Sequence, residues 1–116
     1  MTVFVIQNQH QMGAAGALVP KFDLSPAEKY GELSFLLSPT ARPFSSEHVI
    51  GQLRDKLHSF CNDDYLLLVG NPCLIGFAVA IAADYNDGMV KILQWSGVEQ
   101  RYIAIEADLK FFVEGK

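Results

Sequence analysis

The spacing of apolar and polar residues changes period several times along this chain, and each change marks an element. Thr2–Gln7 (TVFVIQ) is rich in β-branched and aromatic residues and is expected to form a strand. Gln11–Ala17 (QMGAAGA) is small and featureless and is expected to be a loop. In Asp23–Gly31 (DLSPAEKYG), Ser25 as N-cap, Pro26 at the first position and Glu28 at the third would make a capping box closed by Gly31. Glu32–Leu37 (ELSFLL) reads as a strand, and the two prolines of Ser38–Phe44 keep that stretch irregular.

A helix is expected from Ser45 or Ser46 to about Ser59. Val49, Ile50, Leu53, Leu57 and Phe60 share one face at helical spacing, opposite Gln52, Arg54, Asp55, Lys56 and Ser59. Tyr65–Val69 (YLLLV) is a continuous apolar run, as a central strand covered on both faces requires. Gly70-Asn71 then turns into a second helix, about Pro72–Tyr85, with Asn71 as N-cap and Pro72 first. That helix is apolar on nearly every side, so it is buried or covered by a partner. Gly76, Ala80 and Ala83 form a small-residue stripe along it. Met89–Trp95 and Arg101–Ala107 read as two strands joined by a short connection.

The resulting order is β, short α, β, α, β, α, β, β. It describes a small α/β sandwich around a mixed, mainly parallel sheet of about five strands with two main helices. Crossovers carrying helices make the strands from Glu32 to Trp95 parallel and right-handed in connection, with the last strand antiparallel. The first strand can join the sheet by either a crossover or a return. At 116 residues one domain is expected, with 110–116 as a tail.

Composition narrows the classes. Hydrophobic residues make up 50% and charged residues 19%, which excludes a disordered chain. The net charge is −4 and falls wholly in residues 59–116, without a basic block, so duplex nucleic acid is not an expected partner. Two cysteines, Cys61 and Cys73, are too few for a disulfide scaffold and are expected to be buried apolar thiols. The N-terminus has no basic region before its short apolar run, and the longest apolar stretch, Cys73–Ala83, is about half of a membrane span. A cytoplasmic protein with no membrane contact is the expectation.

In open α/β sheets, ligands collect beyond the carboxyl ends of parallel strands. Those ends are Ser38, Gly70-Asn71 and Trp95-Ser96, joined by Gln7, Asn8 and His10 if the first strand is parallel. Gly70 and Asn71 open a helix N-terminus, where free N–H groups favour an anion, and Arg42 could supply a fork for phosphate. The simpler structural account is that Asn71 caps the helix and Gly70 permits the turn. Asn8, His10, Ser38, Arg42, Gly70, Asn71 and Ser96 are therefore the candidate ligand-binding residues. Cys73, in the first turn, could act as a nucleophile with His10 as base, against its reading as a packing thiol. His48 and His58 lie roughly three turns apart on one helix and cannot share a metal. No cluster has zinc spacing, and no cofactor is indicated. Asp63-Asp64 reads as a solvated loop, and Trp95 is expected to pack across the hairpin on Tyr102. Trp95, Phe111 and Phe112 are the candidate interface residues; with the apolar second helix, the tail aromatics favour a homodimer.

Several strings (VFVIQNQH, VPKFDLSPAEKYGEL, LLSPTARPF, DYLLLVGNPCLIGFAVAIAADYNDG and LQWSG with RYIAIEADL) resemble a group of small proteins encoded by bacteriophages and related mobile elements. The resemblance spans residues 3–109, leaving out the Gln11–Ala17 loop and the tail after Leu109. The group has no assigned activity, so it carries no catalytic residue across. It implies a phage origin and a role inside an infected bacterium. Three functions remain open: a non-enzymatic accessory protein binding a host or viral macromolecule, a nucleotide or small-anion binder or weak hydrolase, and a virion component. The first is preferred, since no catalytic constellation is legible.

Overall fold

Thr2–Gln7 forms β1, an interior strand of the main sheet, which a computed structural model describes over residues 1–110. Glu32–Leu37 (β4) and Tyr65–Leu67 (β5) flank it, and both pair with it in parallel. Met89–Ser96 (β6) is parallel to β5, and Arg101–Asp108 (β7) returns antiparallel along the other side of β6. The strand order is β4-β1-β5-β6-β7. The expected mixed, mainly parallel five-stranded sheet is thus the observed one, and the first strand is parallel.

The crossover faces follow from the order. The chain moves outward from β1 to β4, then back across β1 to β5. Two right-handed crossovers running in opposite directions must use opposite faces of the sheet. Accordingly, Ser46–Leu57 (α1) and Pro72–Tyr85 (α2) pack Val49, Leu53, Leu57, Leu74, Ala78 and Ala82 on one face, against Phe4, Ile6, Leu66 and Val90. The opposite face carries Val3, Val5, Leu67, Leu93 and Tyr102. Among the described residues its cover is the 3-10 segment Ser25–Tyr30 with its N-cap Leu24, through Leu24, Ala27 and Tyr30. One face has two helices over it and the other has six residues of 3-10 helix.

Several local expectations are corrected. Ser25 is not an N-cap: Leu24 holds that position, and Asp23 Oδ1 accepts from Ser25 N (3.0 Å) and Ser25 Oγ (2.8 Å). An aspartate two residues upstream does the same work as an Asx turn. The stretch read as a loop, Gln11–Ala17, takes in part of one strand and the turn of a two-stranded ribbon, His10–Met12 (β2) and Leu18–Pro20 (β3), exposed at every strand residue. With both faces wet it has no period-2 signal. Asn71 does cap α2, its Oδ1 accepting from Cys73 N at 2.9 Å, with Pro72 in the first turn.

Asp64 is not solvated. It is buried, while Asp63 is exposed. Its Oδ1 accepts from Thr2 N (3.0 Å), and its Oδ2 accepts from Cys61 N (3.1 Å) and from the Cys61 thiol (3.5 Å). The carboxylate therefore ties the start of β1 to the entry of β5. Asp64→Ala removes those acceptors from partly buried donors and is expected to cost about 2 kcal/mol, read as a lower midpoint in urea unfolding.

Candidate functional site at the carboxyl edge

With β1 between β4 and β5, the point where the chain reverses its direction of winding lies at the carboxyl ends of β1 and β5, where open α/β sheets place ligands. Here a side chain of the protein itself fills that point. Gln7 closes β1 and is 3% exposed. Its Nε2 donates to Ser38 O (3.1 Å), Ala41 O (3.0 Å) and, at longer range, Pro39 O (3.4 Å). Its Oε1 accepts from Asn71 N at 2.9 Å, and its backbone N donates to Val69 O at 2.9 Å. The loops after β4 and β5 are thereby pinned to the end of β1.

Three of the predicted residues meet there in structural roles. Ser38 offers its carbonyl to Gln7, while its Oγ bonds Thr40. Asn71 uses its N–H on Gln7 and its side chain on Cys73 N, so two donors of the helix start are already engaged. Gly70 sits at φ +134 with Gln7 directly against it. The others lie elsewhere. Arg42 is exposed before the short 3-10 turn Pro43–Ser45. His10 is exposed on the β2–β3 ribbon, opposite Pro20. Ser96 ends β6, where its Oγ accepts from Glu99 N (3.1 Å) in the hairpin turn. Both cysteines are exposed, which corrects the expectation of buried thiols. Phe111 and Phe112 lie outside the described residues.

The open crevice is one strand further along. β6 continues to Ser96, but its last partner in β5 is opposite Leu93, because the chain turns away after Leu67 with Val69 N donating to Leu67 O (2.9 Å). The strands part, and a groove of about 490 Å³ opens on the thinly covered face. Leu67, Val69 and Leu93 form its floor, and Phe22, Trp95 and Tyr102 stand around it. Trp95 and Tyr102 face each other across the hairpin, with ring centroids 5.1 Å apart and planes at 72°, as expected. Trp95 and Phe22 are nonetheless each 43% exposed. A second cleft of about 420 Å³ lies beyond Phe22 and Asp23, lined by Asn8, Leu33 and Phe35. The Asn8 Oδ1 is buried without a hydrogen-bond partner among the described residues. The role of the Phe22-Asp23 strap between two clefts had no signal in the sequence, because both residues sit in an irregular link.

Lys21 and Asp23 both line the groove, the Lys21 ammonium 5.5 Å from the centroid of the Phe22 ring. The Ser25 N–H and hydroxyl hold the Asp23 carboxyl below its usual range, so it is ionised at neutral pH. Burial, and then the charge of Asp23, push the Tyr102 phenol above its ordinary 10.0. The folded state thus holds the Tyr102 proton more tightly than the unfolded state. This contribution is complete below about pH 10 and is lost as pH rises through the raised folded value. Tyr102→Phe is expected to flatten the alkaline loss of stability, measured by denaturant unfolding across that range.

Among the described residues no helix is long and apolar enough to cross a membrane. No solved structure matches the chain. A stretch of 77 residues is 39% identical to 8-amino-7-oxononanoate synthase of Paracidovorax citrulli (strain AAC00-1), covering 65% of this chain and 18% of that protein. The chain therefore spans less than a fifth of that relative's length. The family model for Phage Pam3 gp32-like protein matches residues 1–109, the whole of the sheet and both helices. By that match the chain belongs to the Phage Pam3 gp32-like family, a family of phage-encoded proteins.

Proposed function

We propose that this chain is a non-enzymatic phage accessory protein that binds a host or viral protein in the host cytoplasm, through the thinly covered face at the carboxyl edge of the sheet. The observation that carries the reading is the groove where β5 and β6 part, with its apolar floor and half-exposed Trp95 and Phe22. Aromatic side chains are among those that dominate protein interfaces. The fitting partner segment inserts an apolar or aromatic side chain beside Trp95.

The test is affinity capture from infected bacteria, with the wild-type chain beside Trp95→Ala and Phe22→Ala. A specific protein retained by wild type and lost from both variants is the expected result. Capture that is indifferent to both substitutions sinks the reading. So does a nucleotide- or phosphate-dependent rise in melting temperature that Arg42→Ala abolishes, since it would move the site to the loops around Arg42 and Asn71.

A further inference from the structure

β6 outruns one of its two neighbours. It is in register with β5 only at Ile92 and Leu93, while β7 accompanies it on the other side as far as Ser96. In a strand the main-chain groups of successive residues point to opposite sides. Ser96 points to β7, since its carbonyl accepts from Gln100 N in the hairpin turn at 2.8 Å. Trp95, one residue earlier, therefore directs its N–H and C=O to the β5 side. Its stance against Tyr102 agrees. Side chains of an antiparallel pair come closest where the two residues exchange no main-chain bonds, and these ring centroids are 5.1 Å apart. On the β5 side, Leu68, Val69 and Gly70 line the other wall of the groove, and among the described residues none of them bonds the Trp95 main chain. β5 is held away from the gap, because Val69 donates its N–H to Leu67 O and its carbonyl accepts from Gln7 N, each at 2.9 Å.

We propose that the partner enters this groove as an extended segment and adds to β6 as a short strand, its main chain bonding the N–H and C=O of Trp95. This rests on the groove being the docking site and adds the form in which the partner is read. The complementarity is electrostatic without being ionic. Lys21 and Asp23 line the groove with opposite charges, so they select no net charge. The Trp95 main chain presents a partly positive N–H and a partly negative C=O side by side, and a second extended backbone answers both at once. Side chains set the fit. Leu93 and Leu67 lie in register on the thinly covered face, and alternation puts Trp95 on that face with Leu93. Every second side chain of the added strand points to the same face, where Leu67, Val69 and Leu93 form the floor.

The test reads the main chain directly. In the free, isotopically labelled chain, the Trp95 N–H is expected to exchange with solvent about a hundredfold or more faster than the Leu93 N–H, which points the same way but lies in register with β5. The probe is the uncharged peptide acetyl-Val-Phe-Val-amide, compared with the same peptide methylated at all three residue nitrogens. At about 5 mM the first is expected to shift the Trp95 amide resonance saturably and to slow its exchange about tenfold, and the methylated peptide to bind about tenfold more weakly or less. A Trp95 N–H as protected in the free chain as that of Leu93 overturns the proposal, and so does an unmoved Trp95 amide. Equal binding of the two peptides, weakened alike by Phe22→Ala, also overturns it, while leaving the groove as a site for side chains alone. Loss of the groove reading itself is seen separately, as affinity capture indifferent to Trp95→Ala and Phe22→Ala.

Discussion

Gln7→Ala is expected to lower the melting temperature by about 10 °C, a loss of about 3 kcal/mol for a chain of this size. Two effects combine. The Asn71 N–H and the carbonyls of Ser38 and Ala41 lose their partner, and Gln7 is 3% exposed, so truncation leaves a void as well as unmet polar groups. Two loops come loose, which separates this residue from an ordinary core position. Hydrogen exchange at Asn71 and through Ser38–Ala41 is expected to speed up more than exchange in α1. Gln7→Glu sharpens the test because it keeps the shape. A carboxylate cannot donate to three carbonyls, so the folded state raises the pKa of the new group. The deficit should be small at acid pH and should grow as pH rises from the ordinary glutamate value of about 4.3 through the raised folded value. A Gln7→Glu variant as stable as wild type at neutral pH would show that the bridge contributes little.

Gln7 also marks where the sequence stops being readable. The alternation and helical spacing that announce β1, β4, α1 and α2 are local, and they survive into the fold with shifts of a residue or two. α1 stops at Leu57 rather than Ser59, and β5 stops at Leu67 because the next two residues turn away from β6. The concentration of polar residues at the strand ends is equally visible in the chain. What those residues do is not, because it depends on which strand lies between which. Only with β1 between β4 and β5 can Gln7 reach Ser38 and Asn71 together. Of the predicted residues, Ser38, Gly70 and Asn71 then prove to be gathered around Gln7. Asp64 makes the same point at the other end of the sheet: an acid in an Asn-Asp-Asp turn reads as solvated until Thr2 is placed beside it. The groove beside Trp95 arises where two strands separate, and no periodicity in either strand records that separation.

Gly70→Ala should have an effect at least as large, about 3–5 kcal/mol, and its cause can be isolated. Gly70 has φ +134, in a region L-residues avoid, and an added Cβ would stand 2.7 Å from Gln7 Cβ and 3.1 Å from Gln7 Oε1. Rotating the glutamine can relieve the second contact. It cannot relieve the first, because Cβ is fixed by the backbone of β1. Either the turn into α2 moves or the end of β1 moves, and both motions break the Gln7–Asn71 bond. The clash and the dihedral strain are separable by a double-mutant cycle. Gln7→Gly removes the opposing Cβ together with the bridge, so in that background Gly70→Ala retains only its backbone strain. The pair should therefore lose measurably less than the sum of the single losses, by about 1 kcal/mol or more, whereas Asp64→Ala combined with Gly70→Ala should simply add. Strict additivity between positions 7 and 70 would mean that the turn relaxes away from β1, and that the close approach of these two residues is not what holds the carboxyl edge together.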